Sequence, residues 1–565
     1  MNITLSLRAV FVFDNIDQYV DVYRAKAVEA MNLLIEGAAK NAGTSKYVFT
    51  CRPKLLYEQP TFLQLELHGL TVAEAQLLFA ARGLTVEPKH INEVHDLTQG
   101  HPLWINLIAM QVLTNRVELV DLIRRIRAGK DAGLPNAMLQ EIWRSLKPKH
   151  QKLLRYLAEM VRPETEREIA QCVALELNSN QFTKALRQLT ALDLVVVKTP
   201  SSAPDTIELH PLLREFVRRQ FSQSERSPYI SAILLFFDQM IVKLRPTLGQ
   251  DVSYEVLQNW TAKVELLINS GEVLKALLAL EEIRKPLLRN GYAEEFVKWA
   301  SALYANIDLS LPAGADQKIQ DDVLIELVEA LTQLGRFADA EEFIVRFERG
   351  VAGATARYVA ACGMRTYMYW TRGEFELAKE WGKRGVEVKT AGNLDTRHDC
   401  EHNLALAQRD SGEVEQALIY FLGATSLEDV INPLVIDRER GGSFYGNIGR
   451  CLFFKGDNTW AETCLIKSAW CLEKAKDQLV LINQGWVAAW LGELFEKHNS
   501  DLAYIFYRRA ALKWKLTSPQ RFERAVASQQ RLSNRVSVDY LELLDWQIDR
   551  KYCDWLNKAR QFPAD

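Results

Sequence analysis

Residues 11–17 read Phe11-Val12-Phe13-Asp14-Asn15-Ile16-Asp17, an apolar run that stops at an acid. A strand ending in this way presents its aspartate at the carboxyl edge of a parallel sheet, where open α/β folds place their ligands. A second strand, Tyr47-Val48-Phe49-Thr50-Cys51, runs into Arg52-Pro53. Between the two, residues 21–40 carry apolar side chains at helical spacing, which makes a strand, helix, strand unit. No G-x-x-x-x-G-K-[ST] phosphate loop occurs in the 565 residues, so the backbone cradle that usually accompanies such an edge aspartate is missing from the sequence.

Downstream, the texture becomes helical. Thr71 stands three residues before Glu74, the spacing of a capping box at a helix start. In Thr98-Gln99-Gly100-His101-Pro102-Leu103, glycine ends one helix and proline enters the first turn of the next. Residues 139–221 read as three helices, the strand Leu192-Asp-Leu-Val-Val-Val197, a polar loop, and Ile207-Glu208-Leu209 leading into His210-Pro211. Helices followed by a hairpin and a last helix predict a winged helix.

From residue 229 the pattern is helical throughout and repeats. A glycine is followed five residues later by alanine at Gly271/Ala276, Gly335/Ala340, Gly373/Ala378, Gly412/Ala417 and Gly456/Ala461, and His498/Ala503 keeps the phase. Glycine permits the turn out of one helix, and a small residue lets the next helix approach its neighbour. Stacked hairpins predict an α-solenoid with a concave face. Its spacing exceeds the 34 residues of a tetratricopeptide repeat.

The totals set limits. Sixty-nine basic and 72 acidic residues leave a net charge of −3, so no global field draws the chain to nucleic acid or an anionic membrane. Eight cysteines form no C-x-x-C pair and read as reduced thiols. The longest apolar run, residues 229–237, is nine residues and too short for a bilayer. A cytoplasmic protein without a membrane partner is the expectation.

These parts in this order resemble the STAND class of signal-transduction ATPases, NB-ARC-like P-loop NTPases with a tetratricopeptide-like sensor after them. The resemblance covers nearly the whole chain. Residues 11–17 look like Walker B, Thr50 to Pro53 like sensor 1, Gly100-His101-Pro102-Leu103 like the G-x-P motif, and His210 like the winged-helix histidine. It implies a mainly α chain. Its expected parts are the end of an α/β NTPase core (1–62), a helical lid (63–135), a winged helix (136–226) and the solenoid (227–565). It further implies that Asp14 holds Mg²⁺ through water, that Arg52 reports the γ-phosphate of ATP, that Pro102 packs on adenine, and that His210 reaches the β-phosphate of ADP. Asn15 stands where many relatives have a second acid and cannot take a proton. Asp17 is the candidate substitute, and hydrolysis by this chain alone is not expected. The missing phosphate loop and effector domain suggest a truncated protein, a split-gene fragment or a degenerate relative.

Plain readings stand beside these. Asp14 can cap a strand end, Arg52 can be a surface residue, and His210 can open a helix before Pro211. Trp370, Trp381, Trp460, Trp470, Trp486 and Trp490 fit a helical core, or an anchor where one faces the concave side. Lys184 and Arg187 before the wing are few for reading DNA. Arg124, Arg125, Arg127 and Lys130 fit a solvated face, so a nucleic-acid partner is not expected. Three functions follow. The first is a nucleotide-dependent switch, as in bacterial antiviral defence, whose repeats sense a protein partner and which then forms a homo-oligomer. The second is a non-catalytic repeat scaffold with a remnant core. The third is a transcription activator of the same class.

Overall fold

The structure, a computed structural model, describes the chain apart from residues 1–7, 15, 22–24, 41–44, 52, 54, 58–61, 116, 129–133, 200–203, 250–251, 311–313, 352, 354, 395, 397–399, 475–479, 516 and 563–565. Asn15, Arg52 and Lys130 therefore lie outside the described residues. Contacts divide the chain into Met1–Ile142 and Trp143–Asp565. The expected boundaries at 135/136 and 226/227 both fall inside helices, Leu134–Ser145 and Gln223–Leu244.

In the first body, β1 (Val10–Phe13) pairs in parallel with β4 (Lys46–Phe49), with Phe11 opposite Tyr47 and Phe13 opposite Phe49. Those aromatic pairs stack at 5.3 and 4.9 Å. Phe13 and Phe49 pack on the small core of Ile16, Val20, Ala27 and Ile35, while Val10 and Val12 point outward. The helix expected over 21–40 begins only at Glu29, because β2 (Val20–Asp21) and β3 (Lys26–Ala27) first form a short antiparallel hairpin. Further on, Thr71 caps the helix Val72–Ala81 in a complete capping box with Glu74. Helices Pro88–Thr98, Pro102–Asn115, Leu119–Ala128 and Leu134–Ser145 follow. The basic cluster is paired, Arg124 with Asp121, Arg125 with Glu141 and Arg127 with Glu93.

The second body opens with the helix Pro148–Glu159, β5 (Glu164–Thr165), helices Glu166–Val173 and Ser179–Ala191, then β6 (Val195–Lys198), β7 (Thr206–Leu209) and the helix Pro211–Gln220. The three strands form an antiparallel sheet in the order β5-β7-β6. Sequence patterning misses β5, since two residues carry no alternation to read. Lys184 and Arg187 are exposed on the helix before β6.

Helix Gln223–Leu244 begins the solenoid and packs back on helices Pro148–Glu159 and Glu166–Val173. With the turn that follows, to Thr247, it is long and apolar enough to cross a membrane. In this fold, however, Ile233, Phe237 and Ile241 are buried and Asp238 holds Lys263 at 2.6 Å.

Successive helices beyond it pair as antiparallel hairpins, and the glycine series marks their turns. Gly271, Gly335, Gly373, Gly412 and Gly456 all have positive φ, and the next N–H bonds back to the carbonyl five residues earlier, as Glu374 N–H does to Tyr369. This is the Schellman arrangement, with glycine in the left-handed position. The partner alanines Ala276, Ala340, Ala378, Ala417, Ala461 and Ala503 are fully buried. One further turn of the same kind, Gly291, escapes the pattern because Phe296 fills the small-residue position and is itself buried. All eight cysteines are free.

Candidate functional site

The carboxyl edge of the parallel pair is where chemistry collects in the first body. β1 ends at Phe13 and leaves Asp14 exposed. Thr50, just past the end of β4, donates from Oγ1 to Asp14 Oδ1 at 2.5 Å. Two backbone bonds lock the edge, Thr50 N–H to the Phe13 carbonyl at 3.0 Å and Ile16 N–H to the Thr50 carbonyl at 2.9 Å. The chain then turns into a short 3₁₀ helix, Ile16–Tyr19, carrying Asp17. Burial, with the Asp17 carboxylate second, pushes the Cys51 thiol up from its ordinary value. Asp14, Asp17, Thr50 and Cys51 thus share one end of the sheet.

Asp14 alone offers Mg²⁺ one carboxylate, and among the described residues no three acidic, histidine or cysteine side chains gather as a metal cage. One carboxylate suits a largely hydrated Mg²⁺ that takes its other ligands from nucleotide phosphates. When bound, such an ion would neutralise phosphate charge.

Pro102 sits on a turn built by close backbone approach. Gln99 and Gly100 both have positive φ, 52° and 73°, and end the helix Pro88–Thr98. Leu70 N–H donates to the Gly100 carbonyl at 2.7 Å, and His95 Nε2–H donates to the Leu70 carbonyl at 2.9 Å. A Cβ on Gly69 would lie 2.4 Å from the Gln99 carbonyl oxygen, and one on Gly100 would lie 2.3 Å from the Leu70 carbonyl oxygen. Both positions therefore demand glycine. The turn holds Pro102 between two clefts, one of about 510 Å³ bounded by Leu78, Arg82, Leu103 and Asn106. The other, of about 520 Å³, is bounded by Leu67, His68, His101 and Trp104. The exposed His101 ring packs on Trp104 at 5.9 Å. Both clefts are open and mix polar with apolar walls, Arg82 and Asn106 on one side and His68, Gln99 and His101 on the other.

In the second body, His210 is the N-cap of helix Pro211–Gln220, and its Nδ1 accepts from Leu212 N–H at 3.3 Å. With Nδ1 accepting there, the ring hydrogen belongs on Nε2. One and two turns along the same helix, Arg214 and Arg218 lose solvent, and burial lowers both pKa values against Glu159 and Glu265.

Of the sequence candidates, Asp14 and Asp17 share an edge, Pro102 lines two clefts, and His210 caps a helix of the other body. Sequence reasoning passed over Gly69 and His95 as site residues, and named Thr50 only within the stretch that looks like sensor 1. Gly69 was findable as a glycine just ahead of a helix cap, whereas the reach of His95 depends on a tertiary approach that no local pattern encodes.

A family model described as an AAA-like domain matches residues 61–188. No curated protein matches the chain. Among solved structures, a Signal Transduction ATPase with Numerous Domains from Pyrococcus horikoshii, with a tetratricopeptide repeat sensor, is similar at 14% identity and a TM-score of 0.40. That match covers 94% of this chain and 83% of the other.

Proposed function

We propose that this chain is part of a STAND-type, ATP/ADP-dependent signalling switch, in which the solenoid senses a protein partner, with Asp14 and Pro102 of the first body and His210 of the second as the candidate nucleotide-state residues. The observation that carries the reading is the carboxyl edge itself. A parallel pair presents an exposed aspartate, held by the threonine of the neighbouring strand, in the position open α/β folds use for nucleotide phosphate and metal. The AAA-like match and the cleft walls at Pro102 support it. In this reading Asp14 holds hydrated Mg²⁺, Pro102 bounds the base, and His210 offers an Nε2 donor to phosphate. The partner must bind the open state better than the closed one, since equal affinity shifts nothing. Activation by oligomerisation and a role in defence extend the same proposal.

A scaffold with a remnant core is the second reading, favoured by the lack of a phosphate loop in the sequence, because that loop supplies much of the phosphate grip. Melting temperature measured with and without millimolar Mg-ATP and Mg-ADP separates the two. A rise that Asp14→Ala abolishes is expected for the switch, by mass action on the native state. Identical melting in all three conditions would leave the scaffold.

A further inference from the structure

Seven cations are buried in the solenoid among the described residues: Arg284, Arg365, Lys379, Arg409, Lys467, Arg509 and Arg521. Five are matched by carboxylates. Arg284 meets Glu281 and Glu326, and Arg365 meets Glu341 and Glu348. Lys379 meets Glu376 and Glu413, Arg409 meets Asp410, and Arg509 meets Glu473 and Asp549. Lys467 instead donates to the carbonyls of Val430 and Asn432 at 2.6 and 2.7 Å.

Arg521 is different. It is 5% exposed, and no carboxylate lies within ion-pair distance among the described residues. Its guanidinium is met by the Tyr367 hydroxyl, by Ser518 Oγ at 3.4 Å and by the face of Trp486 at 4.9 Å. None of these carries charge. The charged side chain that acts on it is Arg524, of the same sign and exposed.

A second feature adds to the positive potential. Arg521 lies in the first turn of the helix Pro519–Leu532, whose N-cap Ser518 is buried yet makes no side-chain cap. The N–H groups of Gln520 and Arg521 therefore take no capping side chain, and the positive end of the helix dipole adds to the guanidinium. A buried charge left without a counter-charge is strongly unfavourable, which the fold avoids at five of its seven buried cations.

The site also joins distant repeats. The Gln520 side chain stands over Gly335, where an added Cβ would lie 3.0 Å from it, Gln333 donates to the Tyr367 hydroxyl at 3.1 Å, and Trp370 packs on Trp486 at 6.1 Å. Helix Ala356–Arg372 thus meets helices Val480–Phe495 and Pro519–Leu532 through side chains, across more than a hundred residues of chain.

We propose that Arg521 is the receptor for a single carboxylate of the sensed polypeptide, an acidic side chain next to an aromatic one, which enters between Tyr367, Trp370 and Trp486. One guanidinium with two backbone N–H groups matches a monoanion. A phosphate dianion would leave a negative charge buried and unmatched. The carboxylate displaces the Tyr367 contact, so its binding loosens the join between the repeats. The assignment rests on reading the solenoid as the sensing part, not on the nucleotide site.

The test is thermal melting of the full chain with the dipeptides acetyl-Glu-Trp-amide and acetyl-Gln-Trp-amide and with inorganic phosphate, at equal ionic strength. For the native chain, a rise of several degrees with the Glu peptide alone is expected. Arg521→Met is expected to fold, to melt at or above the native temperature, and to lose the response. Should that variant fail to fold, Arg521→Lys is expected to fold and to respond more weakly than the native chain. An equal response to the Glu and Gln peptides, a response to phosphate instead, no response at all, or an undiminished response in the variants would each overturn the assignment. Parallel melts with Mg-ADP report on the nucleotide reading, so that either can fail alone.

Discussion

Two buried titratable side chains set opposite pH responses in the second body. Glu164, on β5, is 4% exposed and pairs with Arg162 at 2.6 Å. Burial outweighs that arginine and raises its pKa to about 7. An acid whose folded pKa is raised keeps its stability below the unfolded value, about 4.3, and loses it as pH climbs through 7. His150 runs the other way. Both ring nitrogens are buried without a hydrogen-bond partner among the described residues, and burial, then Lys149 and Lys147, lower its pKa. The unfolded chain therefore takes the proton first, and stability falls as pH drops below about 6.5. Urea midpoints between pH 4.5 and 8 check both. Glu164→Gln is expected to gain stability over the native chain at pH 8 and little at pH 4.5, while His150→Phe is expected to flatten the loss on the acid side. An unchanged pH profile in either variant removes that residue from the account.

At the scale of the element, the hairpin turns separate two jobs for glycine. Gly373 has φ of 86° and open space around it, so an added Cβ meets no neighbour and the cost is backbone strain alone, about 1–2 kcal/mol. Gly385 lies within the helix Phe375–Ala391, where a Cβ would stand 2.4 Å from Cys400 Sγ and 2.9 Å from Cys362 Cβ. There the cost is overpacking, about 1–3 kcal/mol. Gly373→Ala and Gly385→Ala should both destabilise. Gly373→Asn should recover much of the loss, because asparagine tolerates the left-handed region, whereas Gly385→Asn should be worse than alanine. Chemical denaturation of the four variants decides it, and equal losses for Ala and Asn at 373 would contradict the turn assignment. This division also explains what was legible. A left-handed turn needs a particular residue, so the glycine series and the Gly100 turn could be read from the sequence, as could the edge aspartate. The Gly291 turn was hidden because Phe296 packs where alanine does elsewhere. The β2–β3 hairpin and the clefts beside Pro102 were hidden because they depend on which segments meet, and Gly69 against Gly100 is such a meeting.

Across the second body, one carboxylate ties three elements together. Glu159, 3% exposed, ends the helix Pro148–Glu159 and accepts from Arg226 Nε and Nη2 at 2.7 and 2.8 Å. Arg218 stands 3.7 Å away on the helix that His210 caps, and Arg226 lies at the start of the helix that opens the solenoid. A bidentate, nearly buried pair is the kind that costs most to break, because removing the acid strands its cations. Arg218 and Arg226 keep about a quarter of their surface in water, so the loss for Glu159→Ala should be about 2–3 kcal/mol, below the range for a fully buried pair. Its form matters more than its size. If Glu159 joins the helices of residues 148–220 to the solenoid, calorimetry of the native chain should show them unfolding together, and Glu159→Ala should release a separate transition at lower temperature. Glu159→Gln retains hydrogen-bond acceptance without charge and should fall between. A single transition that merely shifts down in both variants would show that the apolar contacts of helix Gln223–Leu244, through Ile233 and Phe237, hold the join by themselves. In that case the helix carrying His210 would follow the solenoid through packing, and a signal from the repeats would have to move that helix as a rigid whole rather than by releasing one ion pair.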